Sequence, residues 1–583
     1  MQRTRISVTG RRNLLKPKGL VLAGGAMNMK KFRVPNEDIQ LTDDEIAITQ
    51  TKTFQRLFNL KQLGLAYLVY PAASHTRGHH SIRCLQEAHK ILEAVNEDKA
   101  EHKRIRIAAL LHDIGHVPFS HTLEDEHLVL EKHDGSTRLT QALEALKKEL
   151  KSEQVRLIEE ATPILTAISS KDEKDHDWKS DVVGNTVCAD LLAYITTDAE
   201  WTGIEKRPGH YRIYEYFETA PIKIKEQAIE NEKIVEKEIE KNRLCIRLTK
   251  GGLRTDIVSA IMDLLDMRYA LTERVIFHHA KCVASAMLAR AARLCGLSND
   301  PTLLEIGDEG FFQYLETLAV KGQADGATRL LERLRARRLY KRIFKIVRGS
   351  RDEWDESKHQ GAFCEKWRNG KVVEELLDAV EKEHKLPKGS LVLWCPEGKS
   401  GMKLVKAQVV WDSTQNLQGP YALRSDEVKN QFPGIGKRVN VIEEQYLDLW
   451  TFWIALDREH IDCAHAVVRS LERELGVKCN PVFVETHLSK LPGYKDMESL
   501  GRRVSSTLQS IQPVIEKAVN DQAALDGSRT PDENTILAVI KNVVDKKITE
   551  GEHRQREHKE VEGQMKIPES QEGNEDSSNS GNK

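Results

Sequence analysis

The stretch AALLHDIGHVPFSHTLE, residues 108–124, places three histidines and an aspartate directly after an apolar run. A hydrophobic core does not need this concentration of imidazoles, whereas imidazole and carboxylate together suit a divalent cation of intermediate hardness. His112 and Asp113 are adjacent, so on a regular helix their side chains diverge by about 100°. Both can reach one ion where the helix ends, and Gly115 and Pro118 supply that end. The stretch therefore predicts a metal site at the end of a helix.

Two ligands leave a metal site incomplete, so the missing ligands are expected from other helices. His80 opens a predicted helix, three residues after Arg77. Asp190 is a lone acid within the apolar segment NTVCADLLAYITTDAEWTG, and a buried carboxylate is costly without a metal or cation partner. Each of these residues, taken alone, is also compatible with a hydrogen-bonded core residue. The order of all four in the chain is far more specific.

Composition and charge narrow the class of protein. The formal net charge of −1 over 583 residues argues against a dedicated polyanion binder. The nine cysteines contain no CxxC pair and are typical of free thiols in a reducing compartment. No apolar run reaches the ~18 residues of a membrane span, and we interpret the basic N-terminal segment as a lead-in rather than a targeting peptide. We expect a cytoplasmic protein with no membrane partner.

Periodicity predicts a mainly α fold with a smaller C-terminal α+β lobe. Helical spacing of apolar residues dominates roughly the first 350 residues, and β-branched runs between Gly and Pro turns follow Lys388. The charged run KIKEQAIENEKIVEKEIEKNR, residues 223–243, is interpreted as a solvated helix or connector. The expected divisions are a basic, disordered lead-in (1–31), a catalytic core (32–350), a connector (351–384), an α+β lobe (385–480), a helical C-terminal region (481–547) and a disordered tail (548–583).

The order His80, His112-Asp113, Asp190 resembles the HD superfamily of metal phosphohydrolases. More narrowly, it resembles the deoxynucleoside triphosphate (dNTP) triphosphohydrolase branch, with its bacterial dGTPases and sterile-alpha-motif/HD-domain enzymes. The segments that carry the resemblance are FQRLFNLKQLGLAYLVYPAASHTRGHHS, LLHDIGHVPFSHTLE and CADLLAYITTDAEWTG, and it extends over roughly 35–350. It implies the helical HD fold and a divalent ion (Mn, Fe, Mg, Zn or Ni) with these four residues as its ligands.

The same resemblance assigns the remaining site residues. His116 and His121 would lie beside the α-phosphate and place or protonate it. His133 would be a further active-site histidine, and Glu124 an acid that orients such a histidine. The implied substrate contacts are Gln62 and Leu63 at the sugar, Arg77 and Arg268 at the phosphates, Tyr194 packed on the sugar, and Asp198 near the sugar and phosphates.

The chain departs from the family pattern at several positions. In animal members an acid shortly before FQRL and an arginine just after it read a regulatory guanine nucleotide, but Gln50 and Phe58 occupy those positions here. Nucleotide activation of that kind is therefore not expected, and the base preference stays open. The other departures are Gly78-His79 for a Phe-Glu or similar pair, Ala193 for an acid, and Ile276 for a base-stacking aromatic residue.

The residue types themselves predict cleavage of a phosphoester or phosphoanhydride. A divalent ion polarises a phosphoryl oxygen and activates water, histidines transfer protons near neutral pH, and arginines hold phosphate. The resemblance narrows this to hydrolysis of dNTPs to a deoxynucleoside and triphosphate by a homo-oligomer. Two alternatives stay open: an HD-type nuclease, nucleoside monophosphatase or cyclic nucleotide phosphodiesterase, and a non-catalytic regulator that senses nucleotides or binds nucleic acid. Single-stranded nucleic acid is accordingly a second possible partner.

Overall fold

A computed structural model describes most of the first 491 residues. The chain forms two compact units, 1–487 and 488–583, and only 488–491 of the second unit are described. The expectations for residues 1–29 and 492–583 therefore lie outside the described residues. The described ranges are 30–34, 37–95, 98–119, 121–133, 135–170, 172–205, 210–230, 233–348, 359–397, 407–413 and 417–491.

The described part of the chain is mainly helical, as predicted. Helix α4 illustrates how the sequence sets the boundaries, because the Asp98 carboxylate accepts a hydrogen bond from Ala100 N (3.2 Å) at its start. No described helix is both long and apolar enough to cross a membrane. The helices are α1 Asp43–Thr49, α2 Lys52–Gln55, α3 Arg77–Val95, α4 Lys99–Leu111, α5 Ser136–Lys147, α6 Ser152–Ser169, α7 Trp178–Val183, α8 Ala189–Thr202, α9 Thr255–Leu271, α10 His279–Leu294, α11 Asp308–Lys321, α12 Asp325–Arg335, α13 His359–Arg368, α14 Gly370–Glu383, α15 Asp426–Gln431, α16 Pro433–Asp448, α17 Ala464–Leu475 and α18 Pro481–Thr486.

Three small sheets accompany the helices within the described residues. β1 pairs with β2, the second sheet has the order β3-β4-β7-β8, and the third has the order β5-β9-β6. The strands after Lys388 confirm the α+β character of the C-terminal part, and they join sheets with β4 and β5 from earlier in the chain. The strands are β1 Lys30–Val34, β2 Glu37–Leu41, β3 Phe217–Glu230, β4 Lys233–Arg247, β5 Lys341–Val347, β6 Leu391–Trp394, β7 Gln408–Asp412, β8 Leu417–Ala422 and β9 Thr451–Leu456.

The interpretation of the charged run 223–243 as a helix or connector is wrong. The segment forms most of the antiparallel hairpin of β3 and β4. The register pairs Lys223 with Glu240, so two positions of opposite charge are neighbours across the strands. The abundance of charge obscured an alternation with the period of a strand.

The helical core that carries the candidate site is built around α3. This helix packs against both α4 and α8. Its apolar residues Ile82, Leu85 and Ile91 are fully buried, as are Ile107 and Leu111 of α4. Because α3 is in contact with both neighbours, the ends of the three helices are held in fixed positions relative to one another.

A buried arginine joins this helical region to the C-terminal part. Arg290 of α10 is fully buried, and its guanidinium is bonded to Glu381 of α14 and donates to the carbonyl of Leu391 in β6. It also donates to Glu374 (3.1 Å) and to the more exposed Asp378 (3.1 Å). Glu381 in turn accepts hydrogen bonds from backbone N–H groups that precede and begin β6.

We expect Glu381→Ala to lower the free energy of unfolding by roughly 3 kcal/mol, because it removes the most buried partner of a buried charge. Asp378→Ala is the matched control and should cost under about 1 kcal/mol, since its carboxylate is 41% exposed. Denaturant unfolding of both variants measures the difference. Equal losses would show that Glu381 does not hold Arg290 in the way described.

Candidate metal centre and active site

The candidate site forms where three packed helices end. His80 lies in the first turn of α3, His112 is the C-terminal cap of α4, and Asp190 lies in the first turn of α8. A carboxylate in a first turn is favoured by the helix dipole, so Asp190 suits its position in α8. After His112 the chain leaves the helix, and Asp113 can therefore approach the same point as its neighbour.

The structure brings all four sequence-predicted ligands together. His80 Nε2 lies 3.3 Å from His112 Nε2 and 3.0 Å from Asp190 Oδ1. His112 Nε2 lies 3.8 Å from the same Asp190 oxygen. Asp113 lies beside these three residues, with Oδ1 3.4 Å from His112 Nε2 and Oδ2 3.9 Å from His80 Nε2. Residues separated by more than a hundred positions thus converge on one point.

This group of donor atoms fits a divalent metal ion. The Nδ1 of His112 lies 2.8 Å from the carbonyl oxygen of Ala109, and a carbonyl only accepts, so Nδ1 carries a proton. In the neutral ring the lone pair is then on Nε2, which faces His80 and Asp190. His80, His112 and Asp190 each offer a ligand atom, and all three atoms lie within 4.8 Å of one another. Two imidazoles and carboxylates are a common set for transition metals.

Asp113 is a buried carboxylate held in its charged form. Burial alone would raise the pKa of Asp113, but His116, His112 and Arg77 hold it well below its usual range. Arg77 Nη1 donates to Asp113 Oδ2 at 2.8 Å, and both side chains are buried. The resemblance placed Arg77 at a substrate phosphate, whereas in the structure its guanidinium is bonded to the Asp113 carboxylate.

Three histidines lie together on the far side of Asp113. His116 Nε2 is 3.1 Å from Asp113 Oδ1, and the His116 and His133 rings stack with centroids 3.5 Å apart and 19° between planes. The His121 ring lies 4.8 Å from His116 and 5.4 Å from His133, edge to face. We call His116, His121 and His133 the histidine cluster.

Asp113, His116 and His133 also lie close enough to form a second group of possible ligands. In two nearly parallel stacked rings, however, the in-plane lone pairs run side by side and do not converge on one ion. Burial, followed by the charge of Arg77, holds the pKa of His116 well below its usual range. The histidine cluster is therefore better arranged for proton transfer and hydrogen bonding than for a second ion.

Glu124 is hydrogen-bonded to His133, the histidine that the family resemblance placed beside it. Glu124 is fully buried, and its Oε2 accepts hydrogen bonds from His133 N (2.9 Å) and His133 Nδ1 (2.8 Å). Its other oxygen is bonded to Arg138, which also donates to Asn299 (2.7 Å). No local sequence pattern identifies Arg138 as part of the site, because arginines are common in amphipathic helices.

A buried arginine and a glycine hold the loop that follows α4 in place. Arg56 donates to the carbonyl oxygens of His116 (2.6 Å) and Ile114 (2.9 Å), and it is buried, so it anchors the loop from the preceding helices. A Cβ at Gly115 would lie 2.3 Å from the carbonyl oxygen of His133. Gly115 was predicted to end a helix, and the structure shows that it also lets two backbone segments of the site come into contact.

The expected substrate residues have varied surroundings. Tyr194 follows Asp190 by one helical turn, and Arg268 contributes electrostatically to it from α9. Asp198 lies 2.8 Å from His75 Nε2 and is buried, so it is already engaged with a histidine. Gln62 Oε1 is buried and has no hydrogen-bond partner among the described residues, and Leu63 packs against the hydrophobic core.

The comparisons with known proteins agree with this geometry. Residues 77–179 match the HD domain family model. An uncharacterized protein of Methanocaldococcus jannaschii is 53% identical over 89 residues, which is 15% of this chain and 19% of that protein. The deoxynucleoside triphosphate triphosphohydrolase SAMHD1 of Xenopus laevis is 36% identical over 132 residues, 21% of each chain. The chain thus spans about a fifth of the length of these relatives.

A solved phosphohydrolase from Bacteroides thetaiotaomicron shares the fold, with a TM-score of 0.50 and 16% identity over 74% of this chain and 100% of that chain. Residues 77–179 of this chain are therefore similar to the HD domain that the family model describes. Three of the relatives carry the name deoxynucleoside triphosphate triphosphohydrolase, and each matches between 15% and 21% of this chain.

Asp190→Asn should reduce the metal content of the purified protein roughly tenfold or more, because it weakens one donor of a set that needs several. Asp43→Asn is the matched control, since Asp43 is also an aspartate in the first turn of a helix but lies on the surface. Elemental analysis by mass spectrometry, with circular dichroism to confirm folding, measures both. Unchanged metal in Asp190→Asn would remove this residue from the centre.

Gly115→Ala should destabilise the protein by about 1–3 kcal/mol, because the new methyl group must displace the His133 backbone. Gly434→Ala is the control, since a Cβ there meets nothing within 4 Å. Thermal unfolding compares the two variants. A melting temperature for Gly115→Ala equal to that of Gly434→Ala would contradict the close approach described.

Proposed function

We propose that this protein hydrolyses dNTPs to a deoxynucleoside and inorganic triphosphate, with a divalent metal ion held by His80, His112, Asp113 and Asp190. The observation that carries the proposal is the position of Asp113 between two sets of groups. One of its oxygens lies 3.4 Å from a candidate metal donor, His112 Nε2, and 3.1 Å from His116 Nε2 of the histidine cluster. Metal binding and proton transfer can therefore act on one phosphate.

The chemistry divides between the ion and the chain. A divalent ion, when bound, neutralises phosphoryl charge and lowers the pKa of water towards ~7. His121 is the most exposed member of the histidine cluster, with its side chain 51% exposed, and it is therefore placed to meet an incoming substrate. Water would form a new bond to the α-phosphorus while the bond from phosphorus to the 5′-oxygen breaks. The doubly protonated ring of His121 would give its Nε2 proton to that oxygen, so the deoxynucleoside leaves as an alcohol, and the proton lost by the attacking water would pass to solvent and leave the triphosphate as an anion.

The substrate class rests on the surroundings of the candidate centre and on the relatives. Tyr194 offers an aromatic surface one turn after Asp190, Arg268 lies beside it, and Gln62 has a free amide oxygen within the described residues. Such groups favour a nucleoside over a bare phosphate ester. Relatives from Xenopus laevis, Dictyostelium discoideum and Danio rerio carry names of dNTP triphosphohydrolases.

Compartment and assembly belong to the same proposal. All nine cysteines are free thiols, and seven of them are buried, which is consistent with a reducing compartment such as the cytoplasm. We propose a homo-oligomer by analogy with the family, and gel filtration of the purified chain tests this directly. Binding of single-stranded nucleic acid is tested in the substrate panel below.

We expect triphosphate release from dNTPs in the presence of manganese or magnesium, and none from ribonucleotides. His121→Ala should retain the metal while kcat falls by roughly 10²–10⁴, because general acid catalysis is lost. His89→Ala, at a half-buried position further along α3, is the control and should match the parent. Each dNTP, each NTP and single-stranded DNA are incubated separately, and triphosphate is measured.

Other outcomes of this substrate panel would identify one of the alternative functions. Shortened DNA without triphosphate would identify a nuclease, and release of monophosphate or opening of a cyclic nucleotide would identify a phosphatase or phosphodiesterase. No turnover of any substrate, with nucleotide bound equally by the parent and Asp113→Ala, would identify a non-catalytic regulator. Full activity of His121→Ala would exclude that residue from the mechanism.

A further inference from the structure

We propose that Asp125 is the positioning residue for His121. The inference rests on the proposed function for the role of His121 and goes beyond it, because neither the metal-site motif nor the family resemblance assigns any role to Asp125. It follows from the contacts made by the short turn that begins immediately after His121.

Asp125 is bonded directly to the His121 ring. Its Oδ2 lies 2.9 Å from His121 Nδ1, and its Oδ1 lies 3.1 Å from Lys132 Nζ. An ionised carboxylate only accepts hydrogen bonds, so Nδ1 carries a proton and Nε2 is the nitrogen that faces the substrate. The ring acts as an acid when Nε2 has taken up a second proton, which it then gives to the 5′-oxygen, and the ring returns to the tautomer protonated at Nδ1. An aspartate that holds a catalytic histidine in one tautomer and orientation is a known device of enzymes.

The local backbone brings the two residues together. Residues Thr122–Glu126 form a π-helical turn, and His121 and Asp125 are four residues apart, so their side chains lie on one side of it. The turn is fixed from outside, because Arg368 of α13 donates to the carbonyl of Asp125 and Lys281 of α10 is bonded to Glu126. Asp125 is therefore held by elements that do not otherwise contribute to the site.

Glu124 and Glu126, the acids on either side of Asp125, are bonded to side chains other than His121. Glu124 is used by His133 and Arg138, and Glu126 is used by Lys281. Each acid of the sequence Glu124-Asp125-Glu126 thus serves a different cation or imidazole. Among them, Asp125 is the acid within hydrogen-bond distance of His121.

The charge on Asp125 supports this geometry. Burial would raise the pKa of Asp125, but its bond to His121 and the charge of Lys132 hold it well below its usual range. The groups that face His121 are Asp125 itself, the His116 ring at 4.8 Å and the His133 ring at 5.4 Å. Asp125 is the anion among them, so it is the group that can select the protonated nitrogen.

The test compares Asp125→Asn with Glu131→Gln in the full chain. Both changes remove one carboxylate charge without changing size, and Glu131 is an exposed residue near the same turn. We expect kcat of Asp125→Asn to fall about tenfold or more, with KM within about twofold and metal content unchanged, because orientation and not binding is lost. Glu131→Gln should match the parent. In the His121→Ala background, Asp125→Asn should cause no further loss, because its effect acts through that ring.

A readout independent of activity separates this inference from the proposed function. In protein labelled with ¹⁵N-histidine, the ¹⁵N chemical shifts of His121 are assigned with the His121→Ala variant and followed upward in pH until the ring is neutral. The neutral ring of the parent should then be the tautomer protonated at Nδ1. Signals from the Nε2-protonated form should increase in Asp125→Asn. A parent that releases no triphosphate but shows these shifts would end the proposed function and leave the orientation by Asp125 established.

Three results would overturn the inference. The first is a parent His121 protonated at Nε2 and not at Nδ1, which needs no variant to fold. The second is an Asp125→Asn enzyme as active as Glu131→Gln. The third is an Asp125→Asn effect that persists at full size in the His121→Ala background, which would mean that Asp125 acts on something other than this histidine.

Discussion

The candidate site depends on one buried carboxylate, Asp113. A buried charge without partners costs several kcal/mol, and Asp113 avoids this cost by its contacts with Arg77, His112 and His116. Those contacts also fix the relation between the metal donors on one side and the histidine cluster on the other. Losing the aspartate would therefore disorganise both halves of the site at once, and the pairing explains why the HD dipeptide is followed so closely by further histidines.

The sequence predicted the parts of the site that lie in continuous motifs. His112, Asp113, His116 and His121 lie close together in the chain, and a glycine and a proline follow the end of helix α4. The contacts of Arg56 with the His116 loop and of Arg138 with Glu124 were not predicted, because one spans 60 residues and the other depends on the path of a loop. The role of Asp125 was missed for a different reason: three consecutive acids look alike until their partners are known.

In the fold, too, the features set by local sequence were predictable, whereas those set by contacts between distant residues were not. Helices were predictable from their period and caps, as α4 illustrates. The hairpin of β3 and β4 was missed because its many charges suggested a solvated helix, although a two-residue alternation was present in the sequence. The C-terminal strands were predicted as strands, but their pairing with β4 and β5 depends on contacts distant in the chain, which no local pattern reveals.

Phe58 and Gly78, two of the departures from the family pattern, pack directly against each other. A Cβ at Gly78 would lie 2.8 Å from the ring of Phe58, so a larger residue at position 78 and this placement of an aromatic ring at position 58 exclude one another. The rings of Phe32 and Phe54 lie 6.2 Å from that of Phe58 and extend the apolar surroundings. Where the resembling family has a nucleotide-reading arginine, this chain has an aromatic side chain packed on a glycine. Phe58 and Gly78 therefore depend on each other, because the ring at position 58 fits only beside a residue without a side chain at position 78. This packing is a physical reason not to expect activation by a guanine nucleotide through position 58.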